Sequence, residues 1–305
     1  MSEPGSARLV GAHVPVAGGL ARGLDYAARA EAEVIQLFAA NPRGWALPAA
    51  EPRRDAAFRE RAAASGLAVF VHAPYLINVA SPDPVIRQRS AASLRHSLIR
   101  GTALGARGVV VHTGSALGAS HRTALRRVRD TLLPLLASLT PQAPELLLEP
   151  TAGQGFTLCG RAADLGPYLD ALEWHPRAGI CLDTCHLFAA GHDLTAAGAT
   201  GLLLAELAGV TGQDSSGAAA TAAGRLRLIH ANDSRDPCGS RRDRHQNIGA
   251  GHIGTAAFAE LLAHPATAGV PFIVETPGPR AAHAPDVAAL KGLRGQAWRA
   301  TAAHA

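Results

Sequence analysis

Lysine is almost missing from this chain: Lys291 is the only one among 29 basic residues, and the rest are arginine. Charged residues of all kinds make up only 17 % of the sequence and aromatics only 4 %. So little charge, beside 48 % hydrophobic residues, excludes a disordered chain and allows a sizeable core. No stretch of about 18 or more uncharged apolar residues reads as a membrane span. The four cysteines, Cys159, Cys181, Cys185 and Cys238, contain no CxxC pair. That spacing excludes a thiolate zinc knuckle, and a chain of this size needs no disulfide staples. Residues Met1 to Arg8 lack the basic stretch and apolar run of a signal peptide, so reduced thiols and a cytoplasmic location are expected.

What is present is a net charge of +5 carried by arginine, whose planar fork suits phosphate oxygens. A GC-rich genome would encode the same arginine bias, so the charge admits a nucleic-acid partner without requiring one. Eight short β-type runs punctuate the chain: Leu9–Ala12, Val34–Phe38, Val69–Val71, Val109–Val111, Leu146–Leu148, Ile180–Leu182, Leu226–Ile229 and Phe272–Val274. Helical segments separate them. Asp83-Pro84 opens one with a cap and a proline in its first turn. Ser120 caps another, with Leu125, Val128, Leu132 and Leu135 on one face and Pro134 expected to kink or shorten it.

Apolar strands alternating with helices predict a parallel sheet buried on both faces, and eight units predict closure. The expected fold is an α/β (β/α)₈ TIM barrel of the xylose isomerase-like kind, one domain over residues 1–305, with a core from about 9 to 291 and ragged ends. An open doubly wound sheet is the alternative, but Gly18-Gly19 is not its phosphate-binding turn. Residues 212–224, rich in Gly, Ala and Ser, read as a flexible insertion. Residues 232–254 form a long loop loaded with Arg, Asp, His and Gly, the sort that is functional or disordered.

Six consecutive strands are each followed by a metal-ligand side chain: His72, His112, Glu149, Asp183, His230 and Glu275. In a barrel these ends ring the C-terminal face, where this fold keeps its active sites. Acids and imidazoles packed there would repel or neutralise one another without cations. His186 follows Asp183 by one helical turn, and Asp243 and His245 alternate along one extended segment. Nine ligands exceed what one tetrahedral ion takes, and the mixture favours Zn²⁺, with Mn²⁺ a substitute. No cysteine is needed among them, and Cys185 reads as a small buried packing residue. A carboxylate can bridge two ions, and Glu149 is the choice for that role.

The motifs Gly11-Ala12-His13-Val14, Tyr75-Leu76-Ile77-Asn78, Glu149-Pro150-Thr151-Ala152-Gly153-Gln154-Gly155, Leu182-Asp183-Thr184-Cys185-His186, His230-Ala231-Asn232-Asp233-Ser234 and Gly239 to His245 resemble the endonuclease IV family, from about Leu9 to about Glu275. The resemblance implies three zinc ions. His72 and His112 would hold one, with Glu149 bridging to a second completed by Asp183, His230 and Glu275. His186, Asp243 and His245 would hold the third. It implies hydrolysis 5′ to abasic sites in double-stranded DNA, with Glu149, Asp183 and Glu275 at the reacting centre. The products would be a 3′-hydroxyl and a 5′-deoxyribose phosphate, and 3′-blocked ends would be cleared as well. Arg43 and Tyr75 match positions that press on the minor groove, and Arg241, Arg242 and Arg244 are candidate phosphate contacts. Pro15, Thr113, Ala116 and Pro150 depart from the common pattern, and none removes a ligand. A monomer is expected, since DNA must reach one open face. Two rivals are a metal-dependent sugar isomerase or epimerase on the same barrel and a non-catalytic, zinc-containing damage-binding protein.

Overall fold

A computed structural model describes residues 8–278 and 283–302. The expected ragged ends therefore fall partly outside the described residues. The elements follow in order: β1 (Val10–His13), α1 (Leu20–Arg29), β2 (Val34–Phe38), α2 (Pro52–Ala64), β3 (Ala68–His72), α3 (Pro84–Leu104), β4 (Gly108–His112), α4 (His121–Ala137), β5 (Glu145–Glu149), α5 (Leu165–Ala171), β6 (Ala178–Asp183) and α6 (Thr184–Ala190). Then come α7 (Ala199–Gly209), β7 (Thr211–Gln213), β8 (Ala219–Thr221), β9 (Leu226–His230), β10 (Asp233–Ser234), β11 (His245–Gln246), α8 (Thr255–Ala263), β12 (Phe272–Val274) and α9 (His283–Ala302).

Eight parallel strands close into a barrel in the order β1-β12-β9-β6-β5-β4-β3-β2. All eight expected runs are barrel strands, and several extend one residue further at the end that bears a ligand. Side chains on a strand alternate in facing, so each barrel strand feeds two cores. Val34, Ala68, Phe70, Val110, Leu147, Cys181, Leu228 and Ile273 fill the interior. Their neighbours, such as Ile35, Val69, Val109, Leu146 and Leu148, pack outward in a second cluster that includes Leu94, Leu132 and Phe258 of the surrounding helices. At the β1–β2 contact the backbones come so close that a Cβ on Gly11 would lie 1.7 Å from the Val34 carbonyl oxygen.

The predicted caps form: Asp83 accepts from Val85 N and Ser120 from Thr123 N. Pro134 does not shorten α4, which continues through it to Ala137; the missing N–H removes one bond, the one back to the Asp130 carbonyl. The 212–224 stretch is not an unstructured insertion. Strands β7 and β8 pair antiparallel, and the Asp214 carboxylate ties the turn between them by accepting from Ser216 N at 2.9 Å and Ala218 N at 3.1 Å. Composition pointed to a flexible insertion, but one aspartate in the right place makes a turn.

Candidate metal centre

The alternation that fills the interior also builds the site. Two residues beyond each interior side chain comes the next inward one: Phe70 leads to His72, Val110 to His112, Leu147 to Glu149, Cys181 to Asp183, Leu228 to His230 and Ile273 to Glu275. At β6 the last strand residue is also a helix cap. Asp183 Oδ1 accepts from His186 N at 2.9 Å, which starts α6 and holds His186 beside the ring. Asp243 and His245 arrive from the long β9–α8 loop, where β11 pairs antiparallel with β10.

Ligand atoms within 4.8 Å of one another form several groups. One is His72, His112 and Glu149; a second is Glu149, Asp183, His230 and Glu275; a third is Asp183, His186 and His245. Asp243 joins the third through His186 Nε2 at 3.2 Å and His245 Nε2 at 3.1 Å. All nine expected residues are thus together, with Glu149 and Asp183 each shared between two groups. Cys181 and Cys185 also fall among them, the first near Glu149 and His230, the second near Asp243 and His245. The sequence reading kept all cysteines apart from the ligands. Burial raises both thiols, Cys181 to about 12, so they stand there in the neutral form.

The imidazoles are oriented as metal ligands are. A ligating histidine commonly donates its other N–H to a carbonyl or carboxylate, which fixes the tautomer. His72 Nδ1 meets Ala73 O at 2.7 Å, His186 Nδ1 meets Pro150 O at 3.0 Å, and His245 Nδ1 meets Glu275 O at 3.2 Å. The contact with Pro150 uses its main-chain carbonyl, which any residue there would supply. His245 Nε2 is buried without any hydrogen-bond partner, aimed at Asp183 and Asp243. An orphaned ring nitrogen facing two carboxylates fits a cation.

Charge tells the same story. Burial alone would raise the Glu149 carboxyl, but His230 beside it and hydrogen bonds from His112, His230 and His72 hold it well below the usual range. Glu275 and Asp243 are likewise lowered against burial, by His230 and His13 in one case and by His186 and His245 in the other. Burial works against protonating His245, yet Asp183, Asp243 and Glu275 lift it to about 9. Carboxylates outweigh the desolvation of the rings, which is an environment prepared for positive charge.

Sequence reasoning missed four residues that hold this arrangement. Asn232 donates to Asp183 Oδ2 at 2.7 Å and accepts from Glu275 N at 2.7 Å. The Thr184 hydroxyl bonds Asn232 O at 2.6 Å. Asp233, fully buried, accepts from Gly249 N, Gly251 N, Ile253 N and Gly254 N at 2.9–3.3 Å and so folds the far half of the β9–α8 loop around one carboxylate. Gln36 is the fourth. Asn232 and Asp233 stood in a quoted motif without a role, and period-2 reading of β2 would have flagged Gln36.

Among the expected DNA contacts, Arg43, Arg241 and Arg242 are exposed and Tyr75 is half-exposed. Tyr75 N bonds Pro42 O at 3.0 Å, which ties the Arg43 loop to the β3–α3 loop. The Tyr75 ring lies 5.4 Å from His72 and 5.7 Å from His112, at the edge of the ligand ring. Arg244 is also exposed, but its Nε and Nη2 are engaged by the Asp236 carboxylate within the same loop.

A family model described as the xylose isomerase-like TIM barrel matches residues 24–296. A probable endonuclease 4 of Streptomyces coelicolor is 57 % identical over 93 % of this chain and 95 % of its own length. A probable endonuclease 4 of Nitratidesulfovibrio vulgaris is 40 % identical over 95 % of this chain and 99 % of its own. The crystal structure of endonuclease IV from Thermus thermophilus superposes with a TM-score of 0.80 at 30 % identity, covering 94 % of this chain and 99 % of that one. An L-ribulose 3-epimerase shares the fold at TM-score 0.70 but only 19 % identity, which speaks to architecture alone. Barrel, ligand ring and these relatives agree: the chain belongs to the endonuclease IV family.

Proposed function

We propose that this chain is a metal-dependent DNA repair endonuclease. It hydrolyses the phosphodiester 5′ to abasic sites in double-stranded DNA, leaves a 3′-hydroxyl and a 5′-deoxyribose phosphate, and clears 3′-blocked ends. The observation that carries this reading is the convergence of nine acids and imidazoles, from strands, a helix and a loop far apart in sequence, at one mouth of the barrel. Zinc is the cation such a donor set favours, with Mn²⁺ a substitute. His72, His112 and Glu149 would hold one ion, Glu149, Asp183, His230 and Glu275 a second, and His186, Asp243 and His245 a third. Bound there, the ions supply Lewis-acid charge for a phosphoryl group and make water more acidic.

The chain's own side chains do the rest. Glu149 and Asp183 are buried and held between neighbouring groups, so they set the spacing of the centre. His112 is 22 % exposed in its side chain and Asp243 39 %, which leaves the cluster open on one side. Burial and the nearby Glu275 and Glu149 raise the Tyr75 phenol, so it keeps its proton and can donate to a phosphate oxygen. Exposed Arg43, Arg241 and Arg242 supply positive charge for the DNA backbone. A missing base has no pairing or stacking to lose, which lowers the cost of turning the abasic sugar into the mouth. No helix among the described residues is long and apolar enough to cross a membrane. A single open mouth suits a monomer on duplex DNA.

The test is metal analysis with cleavage of an abasic duplex. About three zinc ions per chain and incision 5′ to the lesion are expected. Turnover of a ketose or aldose with the abasic strand left whole would replace this reading with the sugar isomerase. Tight abasic-DNA binding without incision would replace it with the damage-binding protein.

A further inference from the structure

The inward face of β2 carries a glutamine where six other strands carry ligands. Gln36 is 0 % exposed and stands two residues beyond the interior Val34, in register with His13 of β1 and Phe70 of β3. Its amide reaches three site residues. Nε2 donates to Glu275 Oε1 at 2.7 Å and lies 3.0 Å from His13 Nδ1, while Oε1 lies 2.9 Å from His230 Nε2.

Only one orientation of this amide satisfies its surroundings. Turned over, its oxygen would face the Glu275 carboxylate, acceptor against acceptor. Its NH₂ would then face His230 and require Nε2 to be the bare nitrogen. As it stands, Oε1 accepts the Nε2 proton, and the ring's remaining nitrogen, Nδ1, looks the other way. Nδ1 lies 2.8 Å from Glu149 Oε1, 3.3 Å from Glu275 Oε2 and 4.0 Å from Asp183 Oδ2. His72, His186 and His245 are oriented by main-chain carbonyls, which no substitution removes. His230 is oriented by a side chain.

We propose that Gln36 is a positioning residue of the metal centre: its amide selects the His230 tautomer that offers Nδ1 to a cation and turns the Glu275 carboxylate toward the same point. The group of Glu149, Asp183, His230 and Glu275 is thereby preorganised for one zinc ion. This rests on the metal-dependent hydrolase reading above. Being fully buried, Gln36 acts through His230 and Glu275 and not through DNA.

The experiment compares wild type, Gln36→Met and Gln36→Asn. Methionine keeps the volume and deletes all three hydrogen bonds. Asparagine keeps an amide but is one methylene short of reaching His230 and Glu275 together. Chelator-stripped proteins are titrated with zinc against a chromophoric competitor, melted without metal, and assayed on an abasic duplex at limiting free zinc. In both variants one zinc equivalent binds about 10–100-fold more weakly while the others hold wild-type affinity. At limiting zinc kcat falls, KM for the duplex stays, and the metal-free melting temperature is little changed. If Gln36→Met does not fold, Gln36→Asn carries the same comparison. Wild-type affinity for every zinc equivalent in the folded variants overturns the proposal. So does a uniform loss across all equivalents together with a lowered metal-free melting temperature, which marks a purely structural role. A wild type that binds no zinc or leaves abasic DNA intact sinks the hydrolase reading and this proposal with it. A wild type that passes both, matched by its variants, sinks this proposal alone.

Discussion

His245 Nε2, buried with no hydrogen-bond partner, and Glu149, packed between His72, His112 and His230, are single atoms and groups whose surroundings make sense around a cation. Removing an outer partner of a metal ligand typically costs about 10–100-fold in affinity or activity, so losing a shared ligand costs more. Glu149→Gln is therefore expected to lower abasic-strand cleavage by more than about 100-fold. Steady-state rates with metal content measured in parallel check it, and near-normal cleavage would remove Glu149 from the centre. The arginines separate at this scale too. Arg242 is 66 % exposed and comes no nearer than 3.8 Å to Asp236, whereas Arg244, 45 % exposed, is hydrogen-bonded to that carboxylate through two nitrogens. Arg242→Ala should reduce the slope of log affinity for DNA against log salt by about 1, and Arg244→Ala should leave that slope nearly unchanged. The six strand-end candidate ligands were legible because each follows its apolar run directly. Gln36 was not, because Val34–Phe38 continues past it and the polar residue lies inside the run. The Arg244–Asp236 pairing was not legible, because that partner, eight residues away, is chosen by the loop's fold.

At the scale of elements, the β9–α8 loop is ordered by one buried carboxylate. Asp233 gathers five main-chain N–H groups, four of them from the far half of the loop, and a Cβ on Gly251 would sit 2.4 Å from its Oδ1. Charge-assisted hydrogen bonds of this kind are worth about 1.5–3 kcal/mol each, and the buried donors left behind also cost free energy. Asp233→Ala is expected to destabilise the protein by at least about 3 kcal/mol, read as a shift in the urea midpoint. It should also weaken zinc binding at the group that uses Asp243 and His245. A variant as stable as wild type would mean the loop is ordered by something else. Helices α2 and α3 are joined by the buried pair Asp55 and Arg100. Asp55→Ala strands the guanidinium and should cost about 3 kcal/mol, whereas replacing both partners with apolar residues should cost less. The strands and the caps Asp83 and Ser120 could be read locally, because periodicity and capping act over a few residues. The β7–β8 hairpin could not: its composition reads as a flexible insertion, and only the placement of Asp214 against Ser216 and Ala218 closes it.

For the whole molecule, protonation and metal loading compete for the same cluster. In the metal-free protein His245 is lifted from 6.5 to about 9 despite burial, by Asp183, Asp243 and Glu275. A raised folded-state value means the folded chain holds the proton more tightly than the unfolded one. That contribution is full below pH 6.5 and fades as pH rises through about 9. Chelated protein should therefore melt at lower temperature as pH rises through this window. Zinc needs unprotonated rings, so its stabilisation should grow over the same window. Melting curves with chelator and with zinc, taken at stepped pH, read both trends, and parallel curves would contradict them. The sequence by itself determined the barrel and which side chains end its strands at the candidate metal centre, because strand alternation and the order of β/α units are local properties written residue by residue. Only the tertiary structure decided which candidate ligands share a group, which imidazole nitrogens meet a main-chain carbonyl and which arginine hydrogen-bonds Asp236. Those depend on distances between strands far apart in the chain, set when the barrel closes and each buried polar atom must find a partner.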